Sequence, residues 1–303
     1  MIIMDIRSEI INLAQEKNAL ILAHNYQREE IQDIAHHTGD SLELARIAAS
    51  NDSDIIVFCG VHFMAESAAM LAPRKKVLLP DATAGCPMAD MAEPGDLIEM
   101  KRRHPDAAVV TYINSSAAVK ALSDVCCTSS NAVDIVRRVD AKKILFVPDK
   151  NLGHYVSRFT DKEVIPWKGF CPTHESFTPE ELRVMRVRHP DALVMVHPEC
   201  RPEVVELADQ VLSTGGMVNF VRKTDSKKII VGTEQGMIHK LKSVAPQIEY
   251  ILASGSFICP NMKKITLEKL RNALLNENPV ITVPEETSRA AVGCLEKMLV
   301  LSY

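Results

Sequence analysis

The sequence predicts an α/β fold in which one unit of alternating strands and helices occurs three times. Short apolar runs alternate with helical patterns along the chain, which is typical of parallel sheets covered by helices. The phrase RHPDAAVVTYIN begins at Arg103, and RHPDALVMVHPE begins 85 residues later (188−103) at Arg188. A Cys-Pro pair also recurs at Cys86, Cys171 and Cys259, with spacings of 85 (171−86) and 88 (259−171) residues.

Each unit is predicted to contain three strands in the order βαβαβ, followed by a cysteine loop. The first strand lies in the phrases that begin at Arg103 and Arg188. A less similar copy of the same phrase, EKNALILAHNYQ, begins at Glu16 in the first unit. The second strand is short and buried, with a small-residue turn and a helix after it, and its phrase begins at Ser53, Ser123 and Ala208. The third strand ends in an acid, and its phrase begins at Lys75, Lys142 and Lys227.

These phrases predict three repeats, at residues 1–90, 91–175 and 176–262. Residues 263–303 form a closing element of a helix, a strand from Val280 to Val283 and a final helix, which packs against one of the repeats. The N-terminal segment MIIMDIRSEIINLAQEK carries acids and has the pattern of an amphipathic helix rather than of a signal peptide.

Composition excludes several classes of protein. The 303 residues are 47% hydrophobic with a formal net charge of −4, and no apolar run approaches the roughly 20 residues that span a bilayer. Basic residues are scattered, so we expect no nucleic-acid partner. Eight cysteines in a chain of this size are interpreted as buried thiols or metal ligands rather than as a disulfide framework. We therefore expect a cytoplasmic protein that binds no membrane.

Right-handed crossovers bring the carboxyl ends of parallel strands to one edge of each sheet, where ligands bind. Three such units arranged around a pseudo-threefold axis would bring equivalent loops together, with the active site at the centre. The repeat makes three sets of positions equivalent: His24, Tyr112 and His197; Tyr26, Asn114 and Glu199; and Cys59, Ser129 and Thr214, with Ser213 beside Thr214.

One cysteine from each repeat suits a metal site with a position left open. Structural zinc usually takes four ligands with local CxxC pairs, and the sequence contains no such pair. Iron–sulfur clusters usually take four cysteines, so three would leave one iron exposed as a Lewis acid. The alternative is an inert buried cysteine that was copied with the repeat, and spacing alone leaves both open. The remaining cysteines are interpreted as structural: Cys59, Cys126, Cys127, Cys200 and Cys294.

Motifs along nearly the whole chain resemble the quinolinate synthase family of NAD biosynthesis: LAHNYQ, GDSLELA, CGVHFMAE, DATAGCPMADM, TYINSSAAVKALSDVCCTSSNA, FVPDKNLG, GFCPTHE, VHPEC, STGGM and GTEQGMIHKL. The resemblance implies three homologous three-layer αβα domains around a [4Fe–4S] cluster that Cys86, Cys171 and Cys259 hold with one iron open. Some members carry a CxxCxxC run at the third ligand, where this chain has Ala253, Ser256 and Cys259.

The family's reaction condenses iminoaspartate with dihydroxyacetone phosphate to quinolinate, releasing phosphate and two waters. The resemblance implies that His24 and Tyr26 assist isomerisation, that His197 and Glu199 form an acid–base pair, and that His174 is catalytic. The substrate-binding residues that it implies are His24, Ser41, Tyr112, Asn114, Ser129, His197, Glu199, Ser213 and Thr214. The STGG turn from Ser213 is a plausible anion cradle in its own right. An enzyme that makes iminoaspartate, such as L-aspartate oxidase, is the implied functional partner.

Two other classes stay open beside this interpretation. One is an iron–sulfur hydro-lyase of the aconitase type, which would act on a single hydroxy acid without a phosphate-bearing cosubstrate. The other is a non-enzymatic metal sensor, in which His24, Tyr26 and Glu199 would be dispensable.

Overall fold

Three separate β-sheets form the framework, as described for residues 5–302 by a computed structural model. Each sheet in this range has four strands, and every strand pair is parallel. Helices connect successive strands and flank the sheets. The α/β fold class predicted from the repeated phrases is therefore confirmed.

The three sheets share one strand order. The first contains β1 (Ala19–His24), β2 (His37–Gly39), β3 (Ile55–Cys59) and β4 (Lys76–Leu78). The second contains β5 (Ala107–Tyr112), β6 (Val125–Cys127), β7 (Lys143–Val147) and β8 (Glu163–Pro166). The third contains β9 (Leu193–Val196), β10 (Gln210–Val211), β11 (Lys228–Gly232) and β12 (Glu249–Leu252). The order is second, first, third, fourth strand in each, which opens a crevice beyond the ends of the first and third strands.

Helices occupy the segments between strands and the two ends of the described chain. The first unit contains α1 (Ile6–Glu16), α2 (Glu29–Ile34), α3 (Ser41–Ser50), α4 (His62–Leu71) and α5 (Pro87–Asp90). The second contains α6 (Pro94–Arg103), α7 (Ala117–Lys120), α8 (Ala132–Arg138), α9 (Lys150–Ser157) and α10 (Pro172–Glu175). The third contains α11 (Pro179–Arg188), α12 (Pro202–Glu206), α13 (Thr214–Val221) and α14 (Gly236–Val244). A 3₁₀ turn (Met262–Lys264), α15 (Leu267–Asn276) and α16 (Glu285–Leu301) follow.

The predicted N-terminal helix is present as α1. Residues 1–4 of the predicted segment lie outside the described part of the chain. No helix within residues 5–302 combines the length and the apolar character that a membrane crossing requires.

The repeat has four strands, and the sequence predicts only three. The strands that it misses are β2, β8 and β12, each at the edge of its sheet. An edge strand is covered less completely than a central one and lacks the continuous apolar run that marks β3. His37 in β2 and Glu163 in β8 are exposed, whereas all of Ile55–Cys59 is buried.

One predicted equivalence is wrong because of this omission. Cys59 lies beside Ala23 on the third strand of its sheet, so it corresponds to Val147 and Gly232 rather than to Ser129 and Thr214. The true counterpart in the first unit is Ser41. It follows Gly39, which pairs with His24, by two residues, as Ser129 follows Cys127, which pairs with Tyr112.

The core runs through all three units. Ile21, Phe146 and Ile229, one from each sheet, belong to one continuous apolar cluster, which also includes Leu295 of α16. Smaller clusters lie under the second and third sheets. Since the main cluster crosses the unit boundaries, the units stabilise one another, and the repeat limits at residues 90, 175 and 262 stay a prediction.

The closing element packs against two units. Helix α15 lies on α1 and β3, and α16 contacts α4, α7, α8 and β6. Between them, Val280 forms a single antiparallel bridge with Leu78 instead of the predicted strand. The flanking Pro279 has no N–H to donate, which limits further pairing. Glu277 forms ion pairs with Lys17, at 2.8 Å, and with Lys76.

We predict that α16 contributes directly to stability. Replacing the fully buried Leu295 with Ala should lower the free energy of unfolding by about 2–5 kcal/mol, because it removes apolar burial and leaves a cavity. The matched change Val300→Ala on the same helix, at a side chain that is 69% exposed, should cost less than about 0.5 kcal/mol. Urea unfolding measures both values, and equal losses in the two variants would contradict the assigned packing.

Candidate active site

One cavity lies where the strand ends of the three units meet, and we call it the central cavity. Thirteen of the fourteen predicted site residues line it: His24, Tyr26, Ser41, Cys86, Tyr112, Asn114, Ser129, Cys171, His174, His197, Glu199, Thr214 and Cys259. The predicted residue that does not line it is Ser213. Every unit therefore contributes side chains to one site, as the repeat predicts.

The three Cys-Pro pairs share a local structure that explains their recurrence. Cys86 and Cys171 are the N-cap residues of the short helices α5 and α10, with proline at the first helical position. Proline is favoured there because its missing N–H would have no partner in the helix. Cys259 and Pro260 also lie just before a helical turn, the 3₁₀ turn Met262–Lys264, but the N-cap of that turn is Asn261. The Cys259 carbonyl accepts from the Lys263 N–H at 3.3 Å.

We call Cys86, Cys171 and Cys259 the cysteine triplet. Burial raises the pKa of Cys86 to about 12 and also raises that of Cys171 and Cys259. Backbone N–H groups at the following helix starts oppose this shift by hydrogen bonding to sulfur. Such N–H groups favour the thiolate that binds metals.

A second set of possible metal ligands overlaps the triplet. The ligand atoms of Cys171, His174 and Glu199 all lie within 4.8 Å of one another, close enough for a single metal ion. Within residues 5–302 the triplet itself forms no set that tight. The triplet therefore suits a group larger than one ion.

Two histidines at equivalent strand ends are oriented in the same way. Nδ1 of His24 accepts from the Tyr26 N–H at 3.2 Å, and Nδ1 of His197 accepts from the Glu199 N–H at 3.3 Å. Nε2 therefore carries the proton in each neutral ring, as the hydrogen-bond network assigns it. The Nε2 atom of His197 lies 3.2 Å from the Ser129 hydroxyl.

A continuous chain of hydrogen bonds, which we call the relay, joins Tyr112, Glu199, His174, Thr233 and Tyr26. The Tyr112 hydroxyl donates to Glu199 Oε1 at 2.5 Å, and His174 Nδ1 lies 2.8 Å from Glu199 Oε2. On its other side, His174 Nε2 lies 2.8 Å from Thr233 Oγ1, which is 2.6 Å from the Tyr26 hydroxyl. Protons can pass along such a chain without entering water.

Burial controls the charge of the relay and of the two oriented histidines. It lowers the pKa of His24 to about 4 and that of His197 to about 3, so both rings are neutral at pH 7. Burial also raises the pKa of Tyr26 and Tyr112 well above the usual range. For Glu199, burial alone would raise the pKa, but His197, His174 and the Tyr112 hydroxyl lower it overall, which leaves a carboxylate.

A buried ion pair braces the third cysteine loop. The carboxylate of Glu234 accepts from the N–H groups of Cys259, at 3.1 Å, and Gly236, at 2.7 Å. It also accepts from Lys263 Nζ at 3.0 Å, and the same ammonium donates to the Tyr26 carbonyl at 2.5 Å. Glu234 and Lys263 therefore connect the loop of Cys259 to the strand end that carries Tyr26.

The residues near the cavity that were not predicted as site residues include the polar and charged residues Asp40, Thr233, Glu234 and Lys263. A signal was present for Thr233 and Glu234, which end the third repeated phrase directly after β11. Asp40 caps α3 by accepting from the Leu42 and Glu43 N–H groups. Lys263 lies after the last repeated motif, where the sequence gives no indication of its partners.

Ser213 faces a neighbouring cavity, which Asp40 also lines. Its hydroxyl accepts from the Gly216 N–H at 3.1 Å and caps α13. The next residue, Thr214, faces the central cavity and accepts from the Asn25 amide at 3.2 Å. Its role as a substrate ligand stays a prediction, as do the roles of the other site residues.

Taken together, the fold and the cavity define an α/β enzyme with a buried acid–base site and a candidate metal centre. Comparison with known proteins specifies it further. The model of the quinolinate synthetase A protein family matches residues 8–300. This chain therefore belongs to that family, whose members are enzymes of NAD biosynthesis, and the resemblance stated from the motifs is confirmed.

Individual relatives match along almost their whole length. A quinolinate synthase of Geotalea uraniireducens is 52% identical, over 98% of this chain and 98% of its own. Quinolinate synthases of Geobacter sp. strain M21 and Methanoregula boonei are 53% and 51% identical, over 98% of this chain and 97% and 98% of theirs.

We predict that the His24 ring stays neutral from pH 8 to pH 5, because burial disfavours the imidazolium. With a pKa of about 4, protonation begins only below that range, whereas an exposed histidine titrates near 6.5. A pH series of NMR spectra of the metal-free protein checks this, with the His24 signal assigned by its loss in His24→Gln. A midpoint near 6.5 would contradict the burial of this ring.

Proposed function

We propose that this chain catalyses the condensation of iminoaspartate with dihydroxyacetone phosphate to quinolinate, with release of phosphate and two waters. The observation that carries the proposal is the cysteine triplet, one thiol from each repeat, beside the relay in one cavity. The quinolinate synthases that are about half identical over their whole length support the same reaction.

The donors in the central cavity fit a [4Fe–4S] cluster held by the cysteine triplet. The three thiols come from separate loops, and each sulfur accepts hydrogen bonds from backbone N–H groups at the start of the helical turn that follows it. The three sulfur atoms are not close enough together to bind one ion. Three cysteines leave the fourth iron without a protein thiolate. When bound, the cluster supplies a Lewis acid that polarises a C–O bond for dehydration.

Neutral donors bind the anionic substrates in this proposal. Ser41, Ser129 and Thr214 occupy equivalent positions beyond the second strands, so each unit offers one hydroxyl. Ser41 and Thr214 are also the first residues of α3 and α13, where the partial positive charge of a helix N-terminus favours phosphate or carboxylate oxygens. Asn114 Oδ1 is buried and, among the described residues, has no hydrogen-bond partner, so this oxygen can accept a hydrogen bond from a substrate amine or hydroxyl group.

Glu199 is the base that removes substrate protons. Its carboxylate is ionised, and the Tyr112 hydroxyl and His174 Nδ1 fix its two oxygens. A proton that reaches Glu199 can be returned through His174, because the relay continues to Thr233. His197, whose Nε2 carries a proton, donates to a substrate oxygen beside Ser129.

His24 and Tyr26 assist the isomerisation of the three-carbon unit. They lie at the end of β1, with ring centroids 4.7 Å apart and in an edge-to-face arrangement. The neutral Nε2–H of His24 can hold a carbonyl oxygen while the Tyr26 hydroxyl, linked to Thr233, exchanges a proton with it. Closure of the cavity by side chains from all three units keeps water from the reactive imine.

The proposed setting is the cytoplasm, where a dehydrogenating enzyme such as L-aspartate oxidase would supply iminoaspartate. All eight cysteines are free thiols, which supports a reducing compartment.

The test is an anaerobic assay of quinolinate formation from dihydroxyacetone phosphate and freshly generated iminoaspartate, with iron and sulfide counted in each protein. Wild type should form quinolinate. Cys171→Ala should lose both cluster and product, because one ligand is missing. Glu199→Gln should keep the cluster and lose at least about a hundredfold in kcat, because the base is gone.

The matched control is Cys200→Ala. Cys200 is fully buried next to Glu199 but belongs to neither the triplet nor the relay, so this variant should keep cluster and activity. Cluster-loaded wild type that forms no quinolinate would overturn the reaction. Dehydration of a single hydroxy acid by that protein would favour the hydro-lyase alternative.

We further predict that two neighbouring serine hydroxyls have different roles. Ser129→Ala should raise the KM for dihydroxyacetone phosphate about tenfold or more, because it removes a hydrogen bond to an anion. Ser213→Ala should leave KM unchanged and lower the free energy of unfolding by about 1 kcal/mol, because it removes the α13 cap. Steady-state kinetics and urea unfolding of both variants check this. A raised KM in Ser213→Ala would contradict this difference and support the substrate-binding role that the resemblance implies for Ser213.

A further inference from the structure

Two cysteines outside the active site lie in direct contact. The sulfur atoms of Cys126 on β6 and Cys294 on α16 are 3.1 Å apart, although the residues are 168 positions apart in sequence. Both side chains are buried, and neither lines the central cavity. The adjacent Cys127 is also buried, but neighbouring residues on a strand point to opposite faces.

A buried lysine lies near this pair. Lys120 is fully buried at the end of α7, which packs on α16. Its ammonium donates to the Ser115 carbonyl and lies 5.5 Å from the centre of the Phe63 ring. A buried cation is stabilised by a nearby anion, and the Cys126–Cys294 pair can provide one by sharing a single proton.

The two thiols are not equivalent. The hydrogen bond from Cys126 lowers the pKa of Cys294, and the charge of Lys120 adds to this against the effect of burial. Burial raises the pKa of Cys126, which keeps its proton. Cys294 is therefore the more nucleophilic sulfur, and Cys126 is positioned to resolve an oxidised Cys294.

We propose that Cys126 and Cys294 form a redox modification site that a peroxide converts into a disulfide. The Cys294 thiolate attacks one peroxide oxygen and breaks the O–O bond, which gives a sulfenic acid and a hydroxide ion. The hydroxide takes a proton from the solvent and leaves as the first water. The Cys126 sulfur then attacks the Cys294 sulfur, and its proton leaves with the hydroxyl as the second water. Two thiols lose two electrons, and the peroxide gains them.

Little movement is needed to form this bond. The sulfur atoms must approach by only about 1 Å to reach the length of a disulfide. The product would fasten α16 to β6 and close a long loop of chain, which restricts the unfolded state. Ser129 follows Cys126 by three residues, so the same bond anchors the strand that leads into the central cavity.

The experiment treats the intact protein with hydrogen peroxide, blocks remaining thiols by alkylation and maps tryptic peptides by mass spectrometry. Residues 121–137 should appear linked to residues 290–297, with the mass of the two reduced peptides minus two hydrogens plus one alkyl group on Cys127. Dithiothreitol should reverse the linkage. The oxidised protein should also unfold at a temperature about 5 °C higher than the reduced protein.

Adjacent cysteines supply the matched controls, since Cys126 and Cys127 lie in the same peptide. Cys126→Ala should abolish both the linkage and the shift in unfolding temperature, whereas Cys127→Ala should keep them. Linkage that persists in Cys126→Ala would overturn the proposal, and so would wild type in which both peptides remain fully alkylated. Because the wild-type peptide map needs no variant, poor folding of Cys126→Ala would still leave a decisive result.

Discussion

The buried carboxylate of Glu199 sets the constraint on which the rest of the site depends. A carboxylate removed from water is costly unless donors hold it. Here the donors come from two other places: the Tyr112 hydroxyl at the end of a strand in the second sheet, and His174 Nδ1 in the loop of Cys171. The Asn151 amide also donates to the Glu199 carbonyl at 3.0 Å. Satisfying one charge therefore fixes the second and third units relative to each other, and Thr233 extends that network to Tyr26 of the first unit.

Repetition explains why the three units contribute different chemistry from one framework. His24 and His197 keep the same hydrogen bond from the residue two positions later, although that residue is tyrosine in one unit and glutamate in the other. In the second unit the corresponding positions are Tyr112 and Asn114. The backbone geometry at the strand end is shared, so a substitution there changes the chemical group without moving it. One framework thus presents a phenol, an amide and a carboxylate to the same cavity.

Periodicity and strand-end position predicted most of the fold and the lining of the cavity, because both follow from local patterns. Central strands such as β3 are continuous apolar runs, whereas the edge strand β2 is only His37–Gly39 and has no apolar pattern. Missing it shifted the alignment of the first unit and obscured the equivalence of Ser41 with Ser129. Lys263 was missed for a different reason: its role arises from contacts with Tyr26 and Glu234, which lie far from it in sequence. Such contacts leave no pattern in the local sequence.

The charge state of the site also explains how it can both bind anions and move protons. If His24 and His197 were imidazolium ions they would bind anions strongly, but they would have no free nitrogen with which to accept a proton. Burial keeps both rings neutral, with Nδ1 held by the backbone and Nε2–H directed to the cavity side. A neutral Nε2–H can stabilise developing negative charge on an oxygen by hydrogen bonding while the ring keeps its proton. Under the proposed function, the ionised carboxylate of Glu199 would repel substrate carboxylates and so favour binding poses that turn them toward the serine and threonine hydroxyls of the other strand ends. Because burial removes the charge of the histidines, the orientation of an anionic substrate in this proposal would depend on repulsion by Glu199 and on hydrogen bonds from these hydroxyls.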